Sequence, residues 1–177
     1  MSAVAIPSGV RLLLVRHGST AWSEAGRLCG WADVPLSARG RAEAGALRRR
    51  IGEIRGLCAT WSSDLLRARE TARLAGLAAS PDARLRELDF GSVEGSRWEE
   101  LSDPIRAGLL GFDGFRAPGG ESVAGLAARV GGFLSGLPPG SHVLVTHGGV
   151  IRLLLSDRRA VAPGEMVWAG AQPAACS

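Results

Sequence analysis

The sequence predicts an α/β fold, a three-layer α/β/α sandwich around a mostly parallel sheet, and two observations support this prediction. Short apolar runs end in charged or polar residues, as in LLLVRHG at residues 12–18 and VLVTHGG at residues 143–149, which is typical of buried parallel strands. Segments with apolar residues at helical spacing alternate with these runs, and that alternation favours helices on both faces of one sheet.

The N-terminal part of the chain predicts one strand and one helix. A strand is expected over residues 11–16, after residues 1–10, which we expect to be flexible. Residues 19–37 contain two glycines and a proline and are interpreted as a loop. Ser37 can cap a helix over residues 38–52.

The next part predicts a second strand and helix, followed by an irregular segment. Residues 57–61 have the pattern of a strand, and Ser63 can cap a helix over residues 64–78. The middle of the chain, residues 81–120, contains proline, many glycines and a short helix near residues 97–102. We expect this middle segment to be an insertion over the active face rather than a separate domain.

The C-terminal part repeats the order of helix and strand. Apolar spacing predicts a helix over residues 121–135, a strand over residues 143–147, a helix in the GGVIRLLL segment that follows, and a last strand at residues 166–168. Neither a repeat nor a linker divides the chain, so a single domain over residues 1–177 is predicted.

Composition narrows the class of partner. All 21 basic residues are arginine and the net charge is +4; the only basic run, residues 48–50, falls at a predicted helix end and is expected to face solvent, so no nucleic-acid partner is expected. No apolar run approaches the roughly 20 residues that span a bilayer, and residues 1–10 lack the features of a signal peptide, so a cytoplasmic protein without a membrane partner is expected. Three cysteines without a CxxC motif predict reduced, mostly buried thiols.

Two histidines follow separate apolar strands, and each precedes a glycine. Arg16 and His17 end the first strand, and His147 ends a later one. Ligands of open α/β sheets bind outside the carboxyl ends of strands, and Arg67, about one turn into the following helix, can reach back to that edge. A single histidine at a strand end is usually an ordinary polar terminus and a helical arginine is usually solvated. Their conjunction instead favours a pocket for an anion.

These motifs resemble those of the histidine phosphatase superfamily, which has the phosphoglycerate mutase-like fold. The similarity begins at LVRHGST and GRLCGWADVPLSARG, continues through SSDLLRARETA and RELDFGSVEG, and ends with APGGES and VTHGGVIR, in the family order. It covers residues 11–155, and five blocks in order make it specific.

The resemblance implies a role for each matching residue. His17 matches the nucleophile that becomes phosphohistidine, Arg16 and Arg67 match phosphate-binding arginines, His147 matches the histidine that stabilises the transferred group, and Glu87 matches the general acid and base. No metal and no cofactor are implied, because Arg16, Arg67 and His147 would stabilise the negative charge of the phosphoryl group, as Mg²⁺ does in kinases.

Three further residues near the motifs complete the candidate site. Gly18 and Ser23 match positions that contact phosphate, although many members have asparagine where this chain has Ser23. Glu94 ranks second to Glu87 and is a structural or a substrate-side carboxylate.

The resemblance implies a phosphomonoester hydrolase acting on a small phosphorylated metabolite. Mutases of the family carry long insertions, whereas the middle segment here is compact, and RELDFGSVEG with APGGES looks most like α-ribazole 5′-phosphate phosphatases of cobalamin synthesis. A cofactor-dependent phosphoglycerate mutase, a phosphatase of phosphohistidine proteins and a non-catalytic binding module remain alternatives. Four aromatic residues can stack on a substrate ring or pack the loops: Trp31, Trp98, Phe112 and Phe115. The sequence does not indicate an oligomeric state.

Overall fold

A five-stranded sheet with the order β3-β2-β4-β1-β5 forms the centre of the computed structural model, which describes residues 4–155, 157 and 159–170. Four strands are parallel, and β5 pairs with β1 in the antiparallel direction at the sheet edge. The strands are β1 (Val10–Arg16), β2 (Leu57–Ser62), β3 (Ser80–Pro81), β4 (Gly140–Thr146) and β5 (Met166–Ala169). The predicted mixed α/β fold with a mostly parallel sheet is confirmed.

In the described part of the chain, six α-helices surround the sheet: α1 (Ala21–Glu24), α2 (Ala38–Gly52), α3 (Leu66–Leu74), α4 (Asp103–Gly111), α5 (Val123–Leu134) and α6 (Gly148–Leu154). Because side chains alternate across a strand, Leu13 and Val15 pack with α2 and α3, whereas Leu12 and Leu14 pack with α4, α5 and α6. These two apolar clusters produce the three layers.

The helix after β2 begins later and ends earlier than the sequence predicts. Ser63 is not its cap: its hydroxyl accepts a bond from the Leu65 amide at 3.3 Å. Leu65 is the N-cap and uses no side chain, while the Leu66 amide donates to the Asp33 carboxylate at 2.6 Å. At the other end Gly76 has a φ of 77°, which stops the helix.

The middle segment is more ordered than the sequence predicts. The helix expected near 97–102 is a 3-10 turn at Trp98–Glu100, and α4 follows it with a proline in its first turn. Leu85, Leu88 and Phe90 from this segment belong to the same apolar cluster as β1. The segment 19–37, interpreted as a loop, contains the short helix α1.

The exposure of the cysteines and of the arginine run can also be compared with the prediction. Cys58 is exposed rather than buried, because the β2 ladder shifts register beside it; Cys29 is partly buried, and Cys176 lies outside the described residues. The arginines at 48–50 are exposed at the end of α2, as predicted.

At the N-terminus the Val4 amide donates to the carbonyl oxygen of Leu153 at 3.3 Å. Within the described ranges, no helix combines the length and the apolar character required to cross a bilayer.

Candidate active site

The two predicted histidines lie side by side at the carboxyl ends of the two central strands. β1 and β4 are parallel neighbours, with Arg16 opposite Thr146. A histidine follows each of these residues, and the ring centroids of His17 and His147 are 5.0 Å apart at an interplanar angle of 61°. Because these two strands are neighbours, both buried imidazoles lie at one point of the sheet edge.

His17 is held in the tautomer that leaves Nε2 as its reactive nitrogen. Nδ1 lies 2.7 Å from the carbonyl oxygen of Gly18, and because a carbonyl only accepts, Nδ1 donates and carries the ring proton. Burial lowers the pKa of His17 to about 3, and the charges of Arg67 and Arg16 act in the same direction. The ring is neutral near pH 7, so Nε2 has a lone pair for attack on an electrophile.

His147 is fully buried, and neither ring nitrogen has a hydrogen-bond partner in the described part of the chain. Burial lowers its pKa well below the usual value, and the charge of Arg67 lowers it further. A neutral imidazole still carries one N–H donor. That donor is satisfied when a ligand brings an acceptor oxygen into the site.

Arg67 is a fully buried cation tied to the loop over residues 29–32. Its Nη1 donates to the carbonyl of Ala32 at 2.9 Å, and its Nη2 donates to Gly30 at 2.6 Å and to Cys29 at 3.3 Å. The charge of Arg67 contributes to lowering the pKa of both histidines. The guanidinium is therefore fixed close to the ring pair.

Arg16 reaches the same pocket from the end of β1. Its Nη1 donates to the carbonyl of Val161 at 2.7 Å, so the segment before β5 positions this guanidinium. Burial lowers the pKa of Arg16, while the charges of Glu87 and Glu43 act in the opposite direction.

Unpartnered nitrogens meet around the histidine pair. They are Nε of Arg16, Nε of Arg67 and both ring nitrogens of His147, all without a hydrogen-bond partner among the described residues. Buried polar groups in folded proteins are nearly always satisfied, and guanidinium groups match the oxygens of a phosphate. The arrangement is suited to a tetrahedral oxyanion.

Glu87 stands beside this pocket and is held by backbone amides. Its Oε2 accepts from the Gly149 amide in the first turn of α6 at 2.9 Å, and its Oε1 accepts from the Leu88 amide at 2.8 Å. The carboxylate is buried, and its charge acts to raise the pKa of the nearby Arg16. A carboxyl group so placed can exchange a proton with an oxygen leaving the pocket.

Arg129 on α5 supports the segment that carries Glu87, and sequence reasoning missed it. It forms a two-bond ion pair with Glu121, both at 2.8 Å, and donates to the carbonyl oxygens of Arg84, Arg86 and Glu87 at 2.7 to 2.9 Å. The signal available in the sequence was an arginine between core positions of an amphipathic helix.

Gly18 and Ser23 have local partners. The Gly18 amide donates to Thr71 Oγ1 at 3.1 Å, and a Cβ at this position would overlap the backbone of Gly40. Glycine is therefore required at position 18 because the backbone of helix α2 lies so close to it. Ser23 Oγ donates to the Thr20 carbonyl at 3.0 Å and accepts from its amide at 2.9 Å. Phosphate contacts from Gly18 and Ser23 stay predictions, and each would replace one of these bonds.

Glu94 organises the loop that holds Arg67. Its Oε1 accepts from the amides of Gly30 at 2.9 Å and Ala32 at 2.7 Å. The carbonyls of these same two residues accept from Arg67. Glu94 is therefore a structural carboxylate that acts through the backbone, which favours the first of the two roles considered for it.

A cleft of about 410 Å³ opens from Arg16 and Glu87. Of the four aromatic residues that could either stack on a substrate or pack the loops, only Phe112 lines it. Phe115 packs in the core, and Trp98 packs against it. Trp31 donates from Nε1 to the Glu87 carbonyl at 2.9 Å and carries the Arg86 guanidinium over its ring at 4.9 Å. These three aromatic residues support the structure around the site.

Within the described residues, no group of three or more histidine, cysteine or acidic side chains has an arrangement that could hold a metal ion. The groups that surround the pocket are instead arginines, imidazoles and one carboxylate.

Curated proteins and solved structures are similar to this chain in sequence and in fold. The sequence is 35% identical over 166 residues to a probable phosphoglycerate mutase GpmB of Yersinia enterocolitica, covering 87% of this chain and 77% of the relative. The structure of a phosphoglycerate mutase from Thermus thermophilus is similar with a TM-score of 0.83 and 46% identity, covering 89% of this chain and 91% of the other. The product of a Mycobacterium tuberculosis open reading frame is similar with a TM-score of 0.77 and 28% identity, covering 92% and 91%.

The family model of the histidine phosphatase superfamily (branch 1) matches residues 12–177, which is nearly the whole chain. The match agrees with the order of motifs in the sequence and with the paired histidines at the sheet edge. The chain belongs to the histidine phosphatase superfamily.

Proposed function

We propose that this protein hydrolyses phosphate monoesters through a phosphohistidine formed on His17. One observation supports the proposal above the others: the buried Arg67, the half-buried Arg16 and the imidazole of His147 all have unpartnered nitrogens, and they lie close to a neutral histidine whose Nε2 carries the lone pair. Phosphoryl transfer depends mainly on positioning and on charge stabilisation. This pocket supplies both.

In the first step, Nε2 of His17 attacks phosphorus while the bond from phosphorus to the ester oxygen breaks. Arg16, Arg67 and His147 bind the equatorial oxygens as charge redistributes among them. Glu87, in its acid form, gives its proton to the departing alkoxide. The products are an alcohol and a phosphorylated His17.

In the second step, water displaces the histidine from phosphorus. Glu87, now a carboxylate, takes a proton from the water as its oxygen bonds to phosphorus. The bond between phosphorus and Nε2 breaks, inorganic phosphate leaves, and both His17 and Glu87 return to their starting forms. The bond from Nδ1 to Gly18 preserves the tautomer throughout.

A mutase is the second candidate, and it is favoured by the names of relatives from Yersinia enterocolitica and Thermus thermophilus. Such an enzyme would form the same phosphohistidine but return the phosphoryl group to another hydroxyl of the substrate. The compact middle segment favours hydrolysis, because retaining a doubly phosphorylated intermediate requires water to be excluded.

Among hydrolase substrates, α-ribazole 5′-phosphate is the specific candidate, supported by RELDFGSVEG and APGGES. A phosphohistidine protein is an alternative substrate. A panel of α-ribazole phosphate, 3-phosphoglycerate, sugar phosphates, nucleotides and a phosphohistidine protein separates these possibilities. Interconversion of 3- and 2-phosphoglycerate faster than phosphate release would support the mutase instead.

Rapid mixing with radiolabelled substrate tests the intermediate. We expect label to be trapped on the wild-type protein, to survive base and to be lost in mild acid, and we expect none on His17→Ala. A labelled protein that is stable in acid but not in base would contradict a phosphohistidine.

A further inference from the structure

Building on the hydrolase proposed above, we propose that the cleft selects phosphate esters whose alcohol carries an apolar ring, and that Phe112 determines this specificity. The similar proteins from Yersinia enterocolitica and Thermus thermophilus are named as phosphoglycerate mutases, and phosphoglycerate bears a carboxylate instead of a ring. The proposal is based on the side chains that line the cleft next to Glu87.

The leaving group must occupy the cleft because the acid that protonates it lies there. Arg16 and Glu87 line the cleft together. Glu87 is bonded to the Gly149 amide, and a Cβ on Gly149 would lie 3.3 Å from Cζ of Phe112. The carboxyl group of Glu87 and the ring of Phe112 therefore both lie against Gly149 in the cleft that the alcohol would enter.

Most of the remaining lining is apolar. It comprises Phe90, Leu109, Leu110, Phe112, Ala160 and Val161. Leu110 lies at the rim and is 66% exposed, so it is accessible to a ligand that enters the cleft. Apolar side chains around a site of this kind contribute binding by contact with an apolar ligand.

Arg152 is the second guanidinium in the cleft, and it is already engaged. Its Nη1 donates to the Leu109 carbonyl at 2.8 Å, and its Nη2 donates to the Leu110 carbonyl. Its Cζ lies 4.7 Å from the centroid of the Phe112 ring. A substrate carboxylate would have to compete with the C-terminal carbonyls of α4 for this cation, whereas an apolar ring would extend the stack.

The backbone of Phe112 supports a role beyond packing. It ends α4 with a φ of 51°, and among the described residues it is the only non-glycine with positive φ. Glycine is the usual residue there, and a bulky side chain in this region costs stability, as is common at functional sites. The strained position holds an aromatic ring beside Gly149, whose amide donates to the Glu87 carboxylate.

Three esters with alkoxide leaving groups test the proposal: benzyl phosphate, glycerol 3-phosphate and 3-phosphoglycerate. We expect kcat/KM for benzyl phosphate to exceed that for each of the others at least tenfold, the effect of one apolar contact in a pocket. Phe112→Ala should reduce this preference about tenfold, and Phe112→Leu should reduce it less. Leu110→Ala, at an exposed position that leaves the core intact, should reduce it about threefold.

A preference for 3-phosphoglycerate, or equal losses for all three esters in folded Phe112→Leu and Leu110→Ala proteins, would overturn the proposal. Failure of the hydrolase itself has a different signature, since neither p-nitrophenyl phosphate hydrolysis nor a trapped phosphoenzyme would then be found. Circular dichroism melting of each variant identifies any that has not folded.

Discussion

Acidification from pH 7.5 to 5.0 should destabilise this protein through its two site histidines. The pKa of His17 is lowered to about 3 by burial, and that of His147 is also lowered by burial. In the unfolded chain both rings titrate near 6.5. The unfolded state therefore binds more protons than the folded state below that value, so stability is fully present above it and falls as the pH decreases toward 3.

The size of the effect at pH 5.0 depends mainly on the unfolded chain. Because the folded pKa of His17 lies about two units below pH 5.0, the folded ring stays neutral while the unfolded ring is almost fully protonated. His17 should then reduce the free energy of unfolding by about 2 kcal/mol between pH 7.5 and 5.0, a sizeable part of the roughly 5–15 kcal/mol typical of a domain. The lowered pKa of His147 acts in the same direction and adds to this loss.

Urea unfolding in phosphate-free buffer measures this difference. We expect His17→Gln to lose about 2 kcal/mol less than wild type over the same pH interval, because one of the two titrating rings is gone. Asp64→Asn is the matched control. The pKa of Asp64 is lowered by its bond to Arg86, so that group's contribution is lost only as the pH falls below about 4, and the control should behave as wild type.

Equal losses in wild type and His17→Gln would refute the reasoning, because the neutral buried ring would then have no part in the acid response. An NMR titration in which the His17 ring of the folded protein titrates near pH 6.5 would refute the reasoning directly.

Three other changes have definite expected outcomes. Glu94→Ala should weaken inhibition by vanadate about tenfold, because the loop that holds Arg67 loses its acceptor, whereas Glu94→Gln, which keeps an acceptor oxygen, should stay close to wild type. Gly40→Ala should lower stability by roughly 2 kcal/mol or more, since its Cβ would overlap the backbone of the turn after β1; Gly45→Ala in the same helix meets nothing within 4 Å and should raise the thermal midpoint slightly. Arg129→Met should lower kcat more than it changes KM, because the segment bearing the acid loses its bonds, and an effect confined to KM would contradict that positioning role.

The sequence predicted the histidine pair because the rule behind it is geometric. Parallel neighbours end at the same sheet edge, so residues that follow β1 and β4 must meet there. The rule needs no knowledge of side-chain partners. It indicated the correct edge of the sheet, whereas the strand order and the short strand β3 were not predicted.

What the sequence could not predict were the partners of individual groups. Whether the Ser23 hydroxyl is free for a ligand depends on the capping box of α1, a four-residue helix too short to be recognised from periodicity. Arg129 is 42 residues from Glu87 in the chain, and only the packing of α5 on the middle segment brings them together. Ser63 failed as a helix cap because Asp33, from a distant loop, binds the Leu66 amide.

The contact between Gly18 and Gly40 links the turn that carries His17, the proposed nucleophile, to the opposite layer of the protein. A side chain at either position would push the turn carrying His17 away from α2. Geneticists scanning this chain should accordingly find inactive variants in α2, on the side of the sheet remote from the substrate, whose defect is a misplaced imidazole rather than a missing contact. The exposed surface of that helix can vary freely during evolution, whereas its inner face is constrained by the chemistry.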